Sequence, residues 1–550
     1  MTPFLFKLSC IMLRKRGLHF YLVVGLFAVY LINGLIAISK NSATYDEMDN
    51  WSYGKRILMR KTDKVYPFED ASVMPICGLN ALPRAVQQLA NPGLLKTDGG
   101  FSDIHNGRYV TLIVCLLTGF FIYRWSKELF GVNGGLLSLF FFVFCPNLNG
   151  HGILLSMDAY TALFTVSTSY YYWKFTKRSG WKYFLAFSSS LALAQIAKYS
   201  MIHLVIFLGF VSIFVLLKRK TIFSGFVRNF IRLLVMGVIV VFVINLGYIF
   251  NNPGKSLSEF KLASKSFTSL QKSFIGSIPL PLPKPYIEGL DMISYMNELG
   301  AGHPYVSDAN YLLGEKRTGT GFWYYYFVVF TFKTPLVVLL LLAAAIFFLF
   351  VRKKKQGHPS TMLFLLSFIF YFLLVLGLQN NVQIGIRHVL MVYPLLYVLV
   401  GFVTSLPWFQ QRSKLLGSLV IAYSVTTYYL FFPNLISYSN ELIIPKKNAY
   451  KVMADSNLDY GQGEIVANKF LADYKDVKIA DTVPAFGKFI LGINYYLDLK
   501  GDGKYLWLSN FKPIAHINHC YLLFDIKKGD LDKLPRIYFN RRDSLAPAAN

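Results

Sequence analysis

Long apolar runs recur along the chain, and each is close to the roughly 20 residues that an α-helix needs to cross a bilayer. We predict eleven membrane spans, at about 18–38, 108–123, 133–147, 157–173, 183–197, 199–217, 233–250, 323–351, 361–378, 388–405 and 415–432. The third run is short, and the fifth and sixth nearly meet at Lys198. The pattern predicts an α-helical polytopic membrane protein with about eleven transmembrane helices.

Three long polar segments lie between or after these runs, at 39–107, 251–322 and 433–550. With eleven spans, all three fall on the same side of the membrane. The last segment has a helical stretch near 462–474, and then short apolar runs separated by Gly and Asp turns, such as Tyr521-Leu522-Leu523-Phe524. Runs of this kind are typical of strands. We therefore predict a transmembrane module over 1–432 and a small C-terminal α/β domain over 433–550.

The composition agrees with a membrane protein. Hydrophobic residues make up 54% of the chain and charged residues only 15%, and the mean hydropathy is +0.42. Soluble domains carry about 25% charged residues. The composition therefore excludes a soluble globular enzyme, a disordered chain and a nucleic-acid-binding module.

The net charge of +27 indicates topology. If the N-terminus is cytoplasmic, the inside segments are 1–17, 124–132, 174–182, 218–232, 352–360 and 406–414. They hold 21 basic residues and one acid, Glu128. Such a bias is typical of cytoplasmic loops, and Arg352-Lys353-Lys354-Lys355 is its densest run. We expect a multi-pass protein of the cell (inner) membrane, with a cytoplasmic N-terminus, an extracytoplasmic C-terminal domain and no nucleic-acid partner.

The five cysteines are scattered through the chain and have no spacing typical of a metal site. Cys77 and Cys520 are the two that we place on the outside of the membrane. A disulfide between them is the alternative to free, buried thiols, which we favour.

Ionisable residues gather at the predicted outer membrane face. They are Asp46 and Glu47 after span one, Asp158 at the start of span four, Lys198 between spans five and six, Lys333 within span eight, and Arg387-His388 at the start of span ten. Ionisable groups in or beside membrane spans are costly, and they are functional candidates by default. Their convergence from six helices on one membrane level indicates a site.

Structural roles are the alternatives for these residues. Asp46, Glu47 and Asp158 could cap helix N-termini, which acids favour. Lys333 and Arg387 could extend to lipid headgroups, and Lys198 could be solvated in its turn. For His151, His303 and His388, interfacial hydrogen bonding is the better interpretation.

Acids and cations together at this face suit a lipid-linked phosphate substrate. Arg and Lys bind a phosphate anion, and they stabilise the charge that develops when the phosphate is a leaving group. A carboxylate can accept a proton from an attacking hydroxyl. The sequence contains neither GxxxxGK[ST] nor GxGxxG, and a donor of this kind needs no nucleotide-binding loop.

Several segments, in order along nearly the whole chain, resemble one superfamily. They are Asp46-Glu47 after span one, Gly107-Arg108-Tyr109, Pro146-Asn147-Leu148 with His151-Gly152 and Ser156-Met157-Asp158, Tyr311-Leu312-Leu313-Gly314-Glu315 with Trp323-Tyr324-Tyr325-Tyr326 and Lys333-Thr334-Pro335-Leu336, Ile386-Arg387-His388 with Tyr393-Pro394, and Asp455-Ser456-Asn457-Leu458-Asp459-Tyr460-Gly461-Gln462. Together they resemble the GT-C lipid-phosphate-dependent glycosyltransferases, in particular bacterial family-39-like members. Protein O-mannosyltransferases and the aminoarabinose transferase are in this superfamily.

The resemblance implies a function and a set of site residues. The function is transfer of a sugar from a polyprenyl-phosphate donor to a hydroxyl of an extracytoplasmic acceptor, which could be a protein Ser/Thr, a lipid or a surface glycan. Asp46 would be the general base, Glu47 would orient the outer loop, and Asp158 would be a second active-site acid. The candidates for binding the donor phosphate are Arg84, Arg108, Lys198, Lys333, Arg387 and His388.

The sequence also departs from some relatives. It lacks the inserted β-trefoil domain of the eukaryotic O-mannosyltransferases, and it has Met74-Pro75 where many relatives have His-Pro-Pro. The metal ligands of the aminoarabinose transferase have no clear match, so we predict no metal or other cofactor, with a divalent metal as the open alternative. The alternative functions are a transporter or lipid flippase, which would place charges nearer the bilayer midplane, and a scaffold that has lost catalysis.

Overall fold

The structure is a computed structural model that describes residues 17–97, 101–218, 225–351 and 358–539. Cys10 and the predicted topology anchor Arg352–Lys355 lie outside the described residues.

Helices make up most of the described chain. Their bounds are α1 Leu18–Lys40, α2 Glu47–Leu58, α3 Leu82–Ala90, α4 Phe101–Val143, α5 Pro146–Gly152, α6 Asp158–Arg178, α7 Trp181–Gln195, α8 Ile202–Lys218, α9 Phe226–Gly247, α10 Lys265–Gln271, α11 Lys284–Leu299, α12 Tyr325–Lys333, α13 Leu336–Val351, α14 Pro359–Gln379, α15 Val392–Val400, α16 Pro407–Gln411, α17 Ser413–Phe431, α18 Glu464–Asp473, α19 Ile493–Tyr496 and α20 Lys528–Leu531.

Within these described ranges, five helices are long and apolar enough to cross a membrane, or six if one bent pair counts as a single span. The five are α1, α4, α8, α9 and α14, and the bent pair is α12 with α13. A polytopic helical protein is therefore confirmed, whereas the exact number of eleven spans stays a prediction.

Helix α4 contains two of the predicted spans, and it folds back on itself at Gly131. This glycine has a φ of 78°, a backbone conformation that other residues rarely adopt. Ser138 Oγ donates to Ser126 Oγ at 2.7 Å, although a straight helix would separate these residues by about 18 Å. The two halves of α4 therefore lie side by side, as the two runs at 108–123 and 133–147 predict.

The chain bends by 115° between α12 and α13. Thr334 is extended there, with a φ of −90° and a ψ of 132°, because the residue before a proline is disfavoured in the helical conformation. The bend places Lys333 at the buried carboxyl end of α12, where a helix leaves carbonyl groups without partners inside the helix.

The C-terminal residues form a small sheet with its own core. The sheet has the order β3-β4-β6-β5, with β3 Val477–Ile479, β4 Gly487–Gly492, β5 Ala515–Ile517 and β6 Tyr521–Ile526; a separate hairpin pairs β1 Asn310–Leu312 with β2 Glu315–Arg317. Only the β3–β4 pair is parallel within the sheet. Alternate residues of β6, Leu522, Phe524 and Ile526, are buried, which confirms the predicted strand pattern.

The C-terminal core contacts the helical part of the chain. Phe332 of α12 packs against it, and Asn440 binds the end of α12 through its N–H to Phe332 O at 2.8 Å and its side-chain amide to Thr334 O at 2.8 Å. Cys77 and Cys520 are both free and buried, so the alternative disulfide between them is absent.

Candidate active site

An ion pair joins the loop before α2 to the segment before α15. Asp46 directly precedes α2, and Arg387 lies in a short 3₁₀ helix, Ile386–Val389. The Arg387 Nη1 atom donates to Asp46 Oδ2 at 2.6 Å. The guanidinium is 8% exposed, whereas the carboxylate is 44% exposed. The acid therefore faces the outside of the site, and the cation lines its interior.

Arg387 keeps hydrogen-bonding capacity beyond this pair. Its guanidinium carbon lies 4.6 Å from the centre of the Tyr460 ring, a cation–π arrangement. Its Nε is buried and finds no partner among the described residues. An unsatisfied buried donor is costly, so this atom marks a place where an anionic or polar ligand would be stabilised.

A second ion pair lies beside the first. Asp158 is the first residue of α6, and Lys198 follows α7; Lys198 Nζ lies 2.7 Å from Asp158 Oδ1. Electrostatic interactions connect the two pairs, because Asp158 acts on Arg387 and Lys198 acts on Asp46. Four of the residues singled out in the sequence therefore form one cluster of two acids and two cations.

The Asp46 carboxyl is held in its charged form. Burial raises its pKa, but the opposite effects of Arg387, Tyr460 and Lys198 together outweigh burial, so that the pKa lies below its ordinary value. Nearby positive charge has this effect on carboxylates in general. Asp46 is therefore ionised at neutral pH and can accept a proton.

Two further acids lie on either side of Asn457, in the C-terminal segment that reaches this cluster. Burial raises the pKa of Asp455 to about 7 and that of Asp459 to about 6. Asp455 interacts electrostatically with Arg387 and Asp46. Sequence reasoning did not include Asp455, Asp459 or Tyr460 among the site residues, although their segment is one of those that carry the family resemblance.

Glu47 has a structural role that its neighbour Asp46 lacks. Its carboxylate accepts two hydrogen bonds from Arg108, at 2.7 and 2.6 Å, and others from the Thr44 and Leu155 backbone N–H groups, both at 2.8 Å. The side chain is fully buried. A carboxylate enclosed in this way is turned away from a substrate, so these contacts favour a structural role, and a place among the catalytic acids stays a prediction. Its expected role in orienting the outer loop agrees with these contacts.

Arg108 is the partner of Glu47, so its contacts favour a structural role, and its assignment to the donor phosphate stays a prediction. Besides Glu47 it donates to Asn41 O at 2.9 Å, Ser42 O at 2.7 Å and Ile38 O at 3.4 Å. These bonds use all of the guanidinium's donors, and the side chain is fully buried. Arg108 instead fixes the end of α1 and the start of the loop that carries Asp46.

Lys333 also has protein partners for its charge, and its assignment to the donor phosphate stays a prediction. Its ammonium is completely buried, and it donates to Ile436 O at 2.5 Å and Asn457 O at 2.7 Å. The alternative that it extends to lipid headgroups is wrong because the ammonium is buried. Lys333 joins α12 to two segments of the C-terminal part of the chain, at Ile436 and Asn457.

Arg84 and His388 have other partners. Arg84, in α3, pairs with Asp103 at 3.2 Å and donates to Leu94 O at 3.2 Å, contacts that hold the first outer segment together. His388 Nδ1 lies 3.2 Å from the Tyr326 hydroxyl, and the two rings are stacked. A phosphate-binding role for either residue stays a prediction.

His151 is a site neighbour that the sequence did not favour. It lies in α5, is fully buried, and neither of its ring nitrogens has a hydrogen-bond partner within the described chain. It interacts electrostatically with Arg387 and Lys198. Residues 146–158 form one of the segments that resemble the GT-C superfamily, and this resemblance is the feature of the sequence that could have pointed to His151.

Residues 100–248 match the family model for dolichyl-phosphate-mannose-protein mannosyltransferase. The resemblance to the GT-C superfamily is thereby confirmed. The matched segment includes Asp158 and Lys198, and it ends before Arg387. A comparison with curated proteins finds no match.

Solved structures give two further likenesses. The crystal structure of ArnT from Cupriavidus metallidurans bound to undecaprenyl phosphate is 13% identical, with a TM-score of 0.48, over 88% of this chain and 75% of that one. The same protein in the apo state is 12% identical, with a TM-score of 0.47, over the same shares. Within the described residues, no group of three or more His, Cys, Asp or Glu side chains is arranged to hold a metal ion.

Proposed function

We propose that this chain is an integral-membrane glycosyltransferase that moves a sugar from a polyprenyl-phosphate donor to a hydroxyl of an extracytoplasmic acceptor. The observation that carries the proposal is the Asp46–Arg387 pair, in which an ionised acid and a cation with an unused donor meet at 2.6 Å. The family whose model matches 100–248 is named for a dolichyl-phosphate sugar donor, which is a lipid phosphate of the proposed class.

Arg387 supplies the contact to the donor phosphate. Its guanidinium is nearly buried and always charged. A phosphate oxygen that accepts from the free Nε would satisfy this donor with a charge-assisted bond, which is stronger than a neutral one. Lys198, whose side chain is 18% exposed, is the second cation within reach, and Asp158 holds it in place.

Asp46 supplies the base. As the acceptor oxygen bonds to the anomeric carbon, the bond between that carbon and the phosphate oxygen breaks. The hydroxyl proton passes to the Asp46 carboxylate, and the lipid phosphate leaves with the bonding electrons. Arg387 stabilises the charge that develops on the leaving oxygen, which is the effect of a preorganised cation in a low-dielectric site.

The different exposure of the two partners fits two substrates that arrive from different sides. The 44% exposed carboxylate of Asp46 is accessible from the outer loops, where a hydroxyl acceptor would enter. The guanidinium is only 8% exposed and lies deeper in the site, where the phosphate of a lipid donor would bind. We place the reaction at the outer face of the cell (inner) membrane.

The test uses purified protein in lipid nanodiscs loaded with polyprenyl-phosphate sugars extracted from the host membrane. We expect the wild type to release polyprenyl phosphate, and Asp46→Asn and Arg387→Ala to lose this activity. The matched controls are Asp476→Asn and Lys488→Ala, which remove either partner of an exposed ion pair in the C-terminal domain, and they should retain it. Wild-type protein that neither binds nor consumes these lipids would overturn the proposal.

The acceptor needs a separate experiment. Mass spectrometry of surface proteins and lipids from cells with and without the chain would identify the modified molecule, since a sugar that disappears from one class identifies that class as the acceptor.

A further inference from the structure

One segment of the C-terminal domain, residues 454–462, is bonded to both sides of the ion pair. The backbone N–H of Ile386, next to Arg387, donates to Asn457 Oδ1 at 2.9 Å. The N–H of Tyr45, next to Asp46, donates to Tyr460 O at 3.3 Å. The segment therefore spans the gap between the two chain regions that carry the acid and the cation.

Further contacts keep this segment in place. Lys333 donates to Asn457 O at 2.7 Å from the end of α12. Gly385 has no room for a side chain, because a Cβ atom there would lie 2.2 Å from Ser456 Oγ. On the other side, the Ser42 N–H donates to Gln462 O at 3.1 Å. Residues 454–462 therefore pack closely against their neighbours in the chain along the whole segment.

Within this segment, Tyr460 is the residue whose side chain lies beside Arg387. Its ring is buried and packs with Leu154 and Ile436, so its orientation is fixed by apolar neighbours. The Arg387 guanidinium lies 4.6 Å from the ring centre. A fixed aromatic face beside a guanidinium restricts the positions that its donors can take, and the attraction is larger where water is excluded.

We propose that Tyr460 is a positioning residue that holds the Arg387 guanidinium for the donor phosphate, and that residues 454–462 of the C-terminal domain form one wall of the active site. This inference rests on the proposed function for its ligand. The contacts that support the inference do not depend on that function. The role of Tyr460 in holding Arg387 can therefore be tested without any lipid.

The first test measures how fast phenylglyoxal modifies individual arginines, followed by peptide mass spectrometry. We expect Tyr460→Leu to increase the modification rate of Arg387, because the ring no longer restrains it, whereas Tyr460→Phe keeps the ring and the wild-type rate. Arg108 is an internal control, since it is fully buried in a different cluster. Increased modification of both arginines would indicate a general loss of fold and would contradict a specific role, as would an unchanged rate at Arg387 in Tyr460→Leu.

The second test measures binding of polyprenyl monophosphate to the same variants in nanodiscs. Loss of a cation–π contact corresponds to roughly a two- to thirtyfold weaker affinity, which we expect for Tyr460→Leu and not for Tyr460→Phe. The control is Tyr474→Leu, an exposed tyrosine of the same domain, which should bind as the wild type does. Equal affinities in all three variants would overturn the positioning role.

The two proposals fail separately. If the wild type does not bind polyprenyl monophosphate, the proposed function is wrong, while the labelling experiment still decides whether Tyr460 holds Arg387. If the wild type binds and Tyr460→Leu does so equally well, the proposed function stands and the role of Tyr460 is wrong.

Discussion

The Arg387 Nη1 and Asp46 Oδ2 atoms are 2.6 Å apart, although 341 positions of sequence separate the two residues. In this state the cation proposed for the donor phosphate neutralises the proposed base. A bound phosphate would compete with Asp46 for the guanidinium. We therefore expect donor binding to weaken the pair and to make Asp46 a better proton acceptor when the acceptor arrives.

The first prediction concerns Asp46→Asn. Asparagine has the size of aspartate and can still accept a hydrogen bond from Arg387, but it cannot take the hydroxyl proton. Loss of a general base typically lowers a rate by about 10²- to 10⁴-fold. We expect folded protein that binds polyprenyl phosphate and has lost turnover. Sugar transfer and lipid binding are measured on the same preparation, and near-normal transfer would remove Asp46 from the mechanism.

The second prediction concerns the buried pair of Glu47 and Arg108. Glu47→Gln leaves the Arg108 guanidinium buried without a charged partner, and breaking a buried pair in this way costs about 3–5 kcal/mol. We expect a large fall in melting temperature in detergent. The control is Glu315→Gln, which breaks an exposed pair with Arg317 and should change the melting temperature little, because exposed ion pairs contribute little to stability. Similar losses in the two variants would contradict the structural role of Glu47.

The third prediction concerns Lys333→Met. Methionine fills similar space but leaves the Ile436 and Asn457 carbonyls without their donor. Bonds to a charged group contribute about 1.5–3 kcal/mol each, so we expect lower thermal stability and faster proteolysis of the C-terminal domain. Lys488→Met, at an exposed position, is the comparison. A stable Lys333→Met variant that only loses lipid binding would contradict the structural role and favour the phosphate-binding one.

The fourth prediction concerns pH. Burial raises the pKa of Asp455 to about 7 from its ordinary value of 3.8, so the folded protein keeps a proton on this carboxyl that the unfolded chain loses above about pH 4. The contribution of this group to stability therefore falls as pH rises from about 4 to 7. Asp455→Asn does not titrate, and asparagine tolerates the positive φ of 54° at this position.

Melting temperatures across this pH window check the fourth prediction. The difference between Asp455→Asn and the wild type should grow in favour of the variant up to about pH 7 and then level off. Asp476→Asn should instead differ from the wild type by a nearly constant amount across this window, because Lys488 lowers the pKa of Asp476 from its ordinary value of 3.8 and the stabilising effect of such a carboxylate is already complete above its ordinary pKa. A difference for Asp455→Asn that does not change with pH would contradict the assignment.

The fifth prediction concerns topology. From the bias of basic residues toward one set of loops we expect position 354 in the cytoplasm and position 500 outside. Single-cysteine variants at the two positions, in a chain without its native cysteines, should react with a membrane-impermeant thiol reagent from opposite sides. Labelling of both positions from the same side would exclude the eleven-span arrangement.

The sequence predicted those features that follow from local pattern. The turn at Gly131 separates two apolar runs, so the runs could be recognised without knowledge of the turn. Asp46, Asp158, Lys198 and Arg387 could be singled out because charge beside a membrane span is costly and needs a reason. To predict that these four residues converge, it was enough to assume that the outer ends of the helices lie at one level of the membrane.

The roles of individual charges could not be predicted in the same way. Arg108 and Lys333 carry the same charge as Arg387, and what distinguishes them is burial and the carbonyl groups around them, which depend on distant parts of the chain. Tyr460 gives no signal by its type, since the chain has 36 tyrosines. Its place beside Arg387 results from the docking of the C-terminal domain, a contact that no periodicity reveals.

The position of residues 454–462 also determines when the site is completed during biosynthesis. All of the apolar helices precede this segment in the chain, so a nascent polypeptide can insert every one of them while the Arg387 guanidinium still lacks its aromatic neighbour and Lys333 lacks the Asn457 carbonyl. Docking of residues 454–462 is then the step that closes the site. A chain cut short before Tyr460 would reach the membrane with Asp46 and Arg387 present but without the wall between them.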